Sequence, residues 1–429
     1  MMLTFCTPRF YPAISGGEFY ILKIMEQLRQ KYGDQVEVIC SNSIDYAGLR
    51  SPQGRLLKRS SPLYQEYRRL KIKRIALDYQ YLDDEEEFKK CCQRVLQWCQ
   101  DLSLPIKLEE IKVYMENGLN LNHWLKSIMD GNVAFRSHLI HSTYLPYSMV
   151  LYALLIARKM QIPSVCTPFY HIYNPRYQNP KLTKVLRHYD ALIACTEVEK
   201  CELVKSGCES SKIHVVPMGV DYNLYSRVVK SNSGRFKSFR ASFGITNPFI
   251  LYVGFKNREK GALSLLKAAK LVYQDYPALN YVFIGPTTQA FDIELKKKRD
   301  LGIPILNLTP SNMRGYFDWR KVSAFQECEI FVMPSRSDAY GMVYLEAWAA
   351  GKPVIATRNS VMKEVIREHN DGLLVTFDDH REIAQAIIRL IRDQELRQTM
   401  GENGRKKVKK KNKWSLITQA TRSIYDSLI

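Results

Sequence analysis

The chain has 429 residues, 46% of them apolar and 25% charged, which exceeds one ordinary domain and suits two of about 200 residues with core material to spare. The longest apolar run, Met149 to Ala157, falls short of the roughly 20 residues that span a bilayer, and the opening MMLTFCTPRFYP lacks a secretion signal's charged-then-apolar order, so neither a spanning helix nor export is expected. A formal net charge of +20 suits an anionic partner, but without any helix-turn-helix, RRM, KH or zinc-finger pattern, nucleic acid is not the expected one.

Met2 to Cys6 reads as a strand, Thr7 to Ser15 as a loop, and Gly16-Gly17 opens a helix from about Glu18 to Lys31 ahead of a strand at Val36 to Cys40. A glycine pair at a helix start lets backbone come close to a ligand, and the positive helix end favours an anion. The pattern is neither GxGxxG nor a P-loop, which argues against a dinucleotide or ATPase site. Residues 45–135 are the least legible. Asp83 to Glu87 suggest a solvated helix start rather than a metal site, and Phe88, Cys92, Val95, Leu96 and Cys99 form a helical core stripe. The α/β rhythm returns with a strand at Leu139 to His141, a helix at Ser148 to Met160 and a strand at Pro163 to Thr167. His171 follows that strand on the side where open α/β sheets bind ligands, and is the histidine candidate, with His141 second. Strands at Asp190 to Cys195 and Ile213 to Pro217 close the first domain.

After a basic, serine-rich linker, Phe249 to Val253 is a strand. The segment from Gly254 to Gly261 then supplies three cations, Lys256, Arg258 and Lys260, ahead of a helix at Ala262 to Tyr276. A helix at Trp319 to Cys328 precedes the most informative stretch, IFVMPSRSDAYGMVYLEAWAAGKPVIAT, from Ile330 to Thr357. It reads strand, loop, helix, strand. Asp338 and Glu346 stand on either side of the N–H groups of Gly341, Met342 and Val343, at the positive end of that helix. Such a constellation can hold a phosphate and, beside it, sugar hydroxyls. Helices are expected at Glu382 to Ile391 and Glu395 to Met400, then a basic run at Arg405 to Lys413. A last helix, Trp414 to Leu428, carries Ile417, Ala420, Ile424 and Leu428 on one face. The ten cysteines are scattered and read as reduced, buried thiols of a cytosolic protein.

Pro334, Ser335, Gly341, Glu346, Ala347, Ala349, Gly351, Pro353 and Val354 match the donor-binding signature of glycosyltransferase family 4, and the stretch resembles it closely. Phe10, Tyr11, Pro12, Gly16 and Gly17 are similar to the family's first loop, with Glu18 one place early. Pro217 to Asp221 resembles its domain junction, with Met218 in place of Asn. The resemblance implies an α/β protein of GT-B fold. Two Rossmann-like domains (1–220 on the acceptor side, 248–410 on the donor-nucleotide side) would face each other across a cleft. Residues 221–247 would link them, and 411–429 would form a helix crossing back to the first domain.

The implied activity is metal-independent, retaining hexosyl transfer from a UDP- or GDP-linked sugar to a glycan or lipid-linked acceptor, with no cofactor beyond that substrate. In this role Lys260 and the N–H groups of Gly341 to Val343 would stabilise the leaving diphosphate, helped by Gly16 and Gly17. Asp338 would hold donor-sugar hydroxyls, Glu346 the ribose, and His171 the sugar near its anomeric carbon; Tyr340 stands where the family commonly has Phe. Phe255 replaces the arginine that grips the diphosphate, and Lys256 or Arg258 would have to supply that charge. The same departure motivates an alternative, an impaired GT-B subunit that scaffolds or activates a partner transferase. The basic runs suit a cytoplasmic enzyme working peripherally at an anionic membrane surface.

Overall fold

The structure, a computed structural model, describes residues 1–13, 15–82, 84–227, 238–313 and 318–429. It divides into two units, Met1–Pro217 with Ile417–Ile429, and Met218–Leu416. The boundary therefore lies at Pro217, three residues before the expected position, and the chain's last residues join its first.

The first unit contains β1 (Met2–Cys6), β2 (Gln35–Ser41), β3 (Glu66–Tyr67), β4 (Leu70–Ile75), β5 (Leu139–Thr143), β6 (Ser164–Thr167), β7 (Ala191–Ala194) and β8 (Ile213–Val215). They form one sheet in the order β3-β4-β2-β1-β5-β6-β7-β8, parallel except for the β3–β4 pair. Apolar residues from Leu3 to Cys6 and all of β5 are buried, as a parallel sheet covered by helices on both faces requires. The strand order runs outward from β1 on one side and from β5 on the other. The loops after these two strands therefore flank the point where connections diverge, which is where such sheets bind ligands. Residues 45–135, opaque in sequence, contribute β3, β4 and a helical layer. Its first long helix, Glu85–Asp101, is capped by the Asp84 carboxylate accepting from the N–H groups of Glu86 and Glu87, and it buries Cys91, Cys92, Val95, Trp98 and Cys99. Phe88 and Leu96, expected on that stripe, are only half-buried, and Asp83 lies outside the described residues.

The helix Trp414–Asp426 enters the first unit at Ile417. Its buried face there is Ile417, Thr418, Thr421, Ile424 and Tyr425, while Ala420, expected inward, is exposed. The reason is polar. His141 on β5 bonds the Tyr425 hydroxyl through Nδ1 at 2.5 Å and the Thr167 hydroxyl through Nε2 at 2.8 Å, which turns the helix toward the sheet. Arg422 Nε reaches Asp34 Oδ2 at 3.0 Å, and the amino terminus holds Asp34 Oδ1 at 2.7 Å. His141, the second histidine candidate, is thus a packing residue. Burial pushes its imidazole down to about 3, so it is neutral at ordinary pH.

The second unit contains β9 (Phe249–Val253), β10 (Asn280–Ile284), β11 (Ile305–Leu308), β12 (Ile330–Val332), β13 (Val354–Thr357) and β14 (Gly372–Val375). They form a parallel sheet in the order β11-β10-β9-β12-β13-β14. Its divergence point lies between β9 and β12. Two expectations need correction here. The stretch 221–247 is not all linker, because Phe239–Phe243 is a short helix that buries Phe239 against Phe249, its N–H donating to Ser323 and Glu327; residues 228–237 lie outside the described set. The helix expected to stop at Met400 runs from Gln394 to Lys411. Met400, Gly404 and Val408 are buried along one side of it, and Lys407 sits 3.5 Å from the centre of the Trp348 ring while pairing with Asp371 at 2.6 Å.

Removing the Tyr425 hydroxyl in Tyr425→Phe leaves a buried imidazole nitrogen without its partner. It should cost about 1–3 kcal/mol in urea denaturation. The neutral, buried His141 also sets a pH dependence. An unfolded imidazole titrates near ~6.5, so between that value and about 3 the unfolded chain binds the extra proton. Stability should therefore fall as pH is lowered through that window. The gap between urea midpoints at about pH 7 and pH 5 should be smaller in His141→Gln than in the wild type.

Candidate active site

The loops that follow β9 and β12 meet at the divergence point of the second unit. Gly261 makes their contact possible: its φ is +73°, and a Cβ there would lie 2.3 Å from the Pro334 carbonyl oxygen. The Arg336 N–H donates to the Glu259 carbonyl at 2.8 Å, and the Tyr252 hydroxyl donates to the Phe255 carbonyl at 2.8 Å from beneath. Across this junction Lys260 Nζ lies 2.6 Å from Asp338 Oδ1 and 3.1 Å from the Ser337 carbonyl. Both side chains stay partly open to solvent, 26% for Lys260 and 15% for Asp338. Asp338 Oδ2 is buried and has no hydrogen-bond partner among the described residues. Burial first, and then the Asp338 charge, push the hydroxyls of Tyr252 and Tyr344 upward, so both stay protonated donors. Tyr344 uses its proton on the Met333 carbonyl at 2.5 Å, fixing the end of β12.

The helix Met342–Ala349 begins directly after this loop. Gly341 is its N-cap, in left-handed backbone at φ +85°, and no side chain caps the turn. The first-turn N–H groups therefore stand at a positive helix end with no side-chain acceptor. Met342 is buried and Val343 half-buried. The Tyr340 hydroxyl accepts from Asn412 Nδ2 at 3.1 Å. Glu346, on the next turn, is buried and takes Lys321 Nζ on Oε1 at 2.8 Å. Lys321 escaped the sequence reading, since a lysine in the helix Trp319–Glu327 carries no signal of where it points.

The structure does not bring the two proposed stand-ins for the missing arginine to Lys260. Lys256 turns inward and is fully buried. Its ammonium bonds Asn307 Oδ1 at 2.5 Å and the Leu308 carbonyl at 2.9 Å, tying the loop to β11. Burial lowers it to about 8. Arg258 pairs with Asp378, Nη2 to Oδ2 at 2.9 Å. Phe255 itself is 44% exposed, so the position keeps an outward side chain but lacks the cation.

The first unit's residues form a separate group at its own divergence point. Gly16 and Gly17 open the helix Gly16–Tyr32 behind a Ser15–Glu18 capping box. The Gly17 N–H donates to the Tyr144 hydroxyl at 3.2 Å, and a Cβ on Gly17 would lie 2.4 Å from that ring. The glycine is thus required by Tyr144, which follows β5. Glu18 is buried and pairs with Arg9 Nη2 at 2.6 Å. Neither Tyr144 nor Arg9 was singled out from sequence, although the strand-end position that drew attention to His171 applies equally to Tyr144. His171 is half-buried after β6, its ring centre 5.1 Å from that of Tyr177.

Residues 235–407 match the family described as glycosyl transferases group 1, and residues 106–224 match glycosyltransferase family 4. Over 297 residues the chain is 31% identical to an uncharacterised glycosyltransferase of Methanocaldococcus jannaschii, covering 68% of this chain and 75% of that one. It is 28% identical over 305 residues to a sulfoquinovosyl transferase of Arabidopsis thaliana, covering 67% of this chain and 56% of the plant protein. The structure superposes on Anabaena HepE in complex with UDP at a TM-score of 0.71 with 16% identity, over 100% of both chains. The likeness runs from the short loop signatures to the whole backbone, and the chain belongs to the group 1, family 4 glycosyltransferases and has their GT-B fold.

Proposed function

We propose that this glycosyltransferase moves a sugar from a nucleotide-linked donor to a glycan or lipid-linked acceptor, with retention at the anomeric carbon and without a bound metal. The observation that carries this reading is the Lys260–Asp338 contact at 2.6 Å beside the uncapped helix at Gly341. In the reaction, the bond between the anomeric carbon and the diphosphate oxygen breaks with its electron pair leaving on the diphosphate, a bond from the acceptor hydroxyl oxygen forms to the same carbon, and the hydroxyl proton passes to the departing diphosphate. Lys260 and the N–H groups of Met342 and Val343 would meet that growing charge, a role in which preorganised donors contribute most to catalysis. Asp338, with one oxygen on Lys260 and the other unbonded, would accept from donor-sugar hydroxyls. Glu346, held rigid by Lys321, would accept from the ribose. HepE is described in complex with UDP-glucose, which supports a UDP-linked donor here.

Phe255 favours a second reading. With Lys256 and Arg258 engaged elsewhere, the β9 loop offers the diphosphate Lys260 alone, as in a scaffold subunit whose donor site has lapsed. Melting temperatures with UDP, GDP, ADP and their sugar conjugates separate the two. A ligand present at about 100 times its dissociation constant adds roughly 2.7 kcal/mol of stability. One nucleotide should raise the melting point, and Lys260→Ala should abolish that rise and reduce turnover about 100-fold or more. No shift with any nucleotide supports the scaffold.

Lys409, Lys410 and Lys411 are exposed along the helix Gln394–Lys411 and support docking at an anionic membrane surface. The protein should float with phosphatidylserine vesicles at low salt and be released as ionic strength rises. Absence from the floating fraction even at low salt rules this out.

A further inference from the structure

The chain passes between its two units twice, after Pro217 and after Leu416. Inside the second unit, residues beside these passages are bound together at Asn412, which is buried at the end of the helix Gln394–Lys411. Its N–H closes that helix by donating to the Val408 carbonyl at 3.0 Å, and its own carbonyl accepts from the Val220 N–H at 2.7 Å. The side-chain amide divides its two protons. One goes to the Met218 carbonyl at 2.9 Å and the other to the Tyr340 hydroxyl at 3.1 Å. A carbonyl can only accept, so the Met218 bond fixes which way the amide faces.

Tyr340 belongs to the turn that carries Asp338 and runs into Gly341, the N-cap of the helix Met342–Ala349. Among the described residues, Asp338 and Ala339 take no part in backbone hydrogen bonding, so neither strand nor helix dictates where this turn lies. Side chains hold it, Asp338 against Lys260 at one end and Tyr340 against Asn412 at the other. The second of these anchors is stiff. The helix that ends at Asn412 packs along the helix Met342–Ala349, with Lys407 over the Trp348 ring and paired with Asp371. Asn412 itself has its backbone N–H and both side-chain amide protons engaged. A residue locked by packing and hydrogen bonds in this way is what holds a site within about 0.5 Å of its working geometry.

We propose that Asn412 is a positioning residue for the donor: through the Tyr340 hydroxyl it sets the turn that places Asp338 and the first N–H groups of the helix Met342–Ala349. This rests on the transferase reading above and extends it to a residue outside the loops that would touch the donor. The test is a double-mutant cycle, read by calorimetric titration of the whole chain with UDP, GDP and ADP, each alone and as its glucose conjugate. For the conjugate that the wild type binds, Tyr340→Phe and Asn412→Ala should each weaken binding about fivefold, the value of one hydrogen bond. Tyr340→Phe made on top of Asn412→Ala should weaken it no further, because the bond it removes is already gone. Two unrelated structural losses would multiply instead, and a hydroxyl that touches the donor directly would keep its effect in the Asn412→Ala background. Either of those results overturns the proposal, as does wild-type affinity in Tyr340→Phe. Asn412→Ser, whose hydroxyl is too short to reach Tyr340, takes the place of Asn412→Ala in the cycle if the alanine variant does not fold. A wild type that binds none of the nucleotides or conjugates brings down the transferase reading and this inference with it. A wild type that binds, with losses that simply multiply, brings down this inference alone.

Discussion

The ammonium of Lys260 against the carboxylate of Asp338 is the contact on which the second unit's site depends. In a parallel sheet with right-handed crossovers, the connections after β9 and β12 leave for opposite faces, so the strands alone do not tie their loops together. The tie comes from this ion pair, the backbone bond from Arg336 to Glu259, and the close approach of Gly261 to Pro334. Both side chains keep an edge open to solvent, 26% for Lys260 and 15% for Asp338, so an arriving anion can reach the ammonium where it stands.

The first unit reaches a similar arrangement by other means. At its divergence point a glycine again yields room, here to the Tyr144 ring, and a cation–carboxylate pair again stands beside it, here an arginine with a glutamate. Arg9 and Glu18 are both buried, however, with 5% and 1% of their side chains exposed. A desolvated pair with excellent geometry costs several kcal/mol to break from one side, so it holds the loop after β1 in one shape.

Much of the fold could be read in the sequence because it is written in local terms. Short β-branched runs ended by glycine and proline marked most strands within a residue or two, and the donor loop was recognisable because its spacing is set by one turn and one helix start. What stayed hidden was non-local. Lys256, Arg258 and Lys260 look equivalent within six residues of sequence, yet one faces β11, one pairs with Asp378 and one reaches Asp338. The inward turn of Tyr425 depended on a histidine far away in the chain, and without it an aliphatic stripe through Ala420 was the natural reading. Residues 45–135 were obscure because their helices pack on one another and on the helix Pro180–Leu186 rather than alternating with strands.

The placement of Ile417–Ile429 in the first unit has a bearing on how the chain comes into being. His141 waits for a hydroxyl that lies 284 residues downstream. During synthesis, the amino-terminal sheet emerges and begins to compact long before its closing helix exists. Domains generally fold as units in the order they leave the ribosome, but this one lacks part of its packing until Ile417–Ile429 has been made. The whole sequence of the second unit, begun later, is therefore made before the first unit has its closing helix.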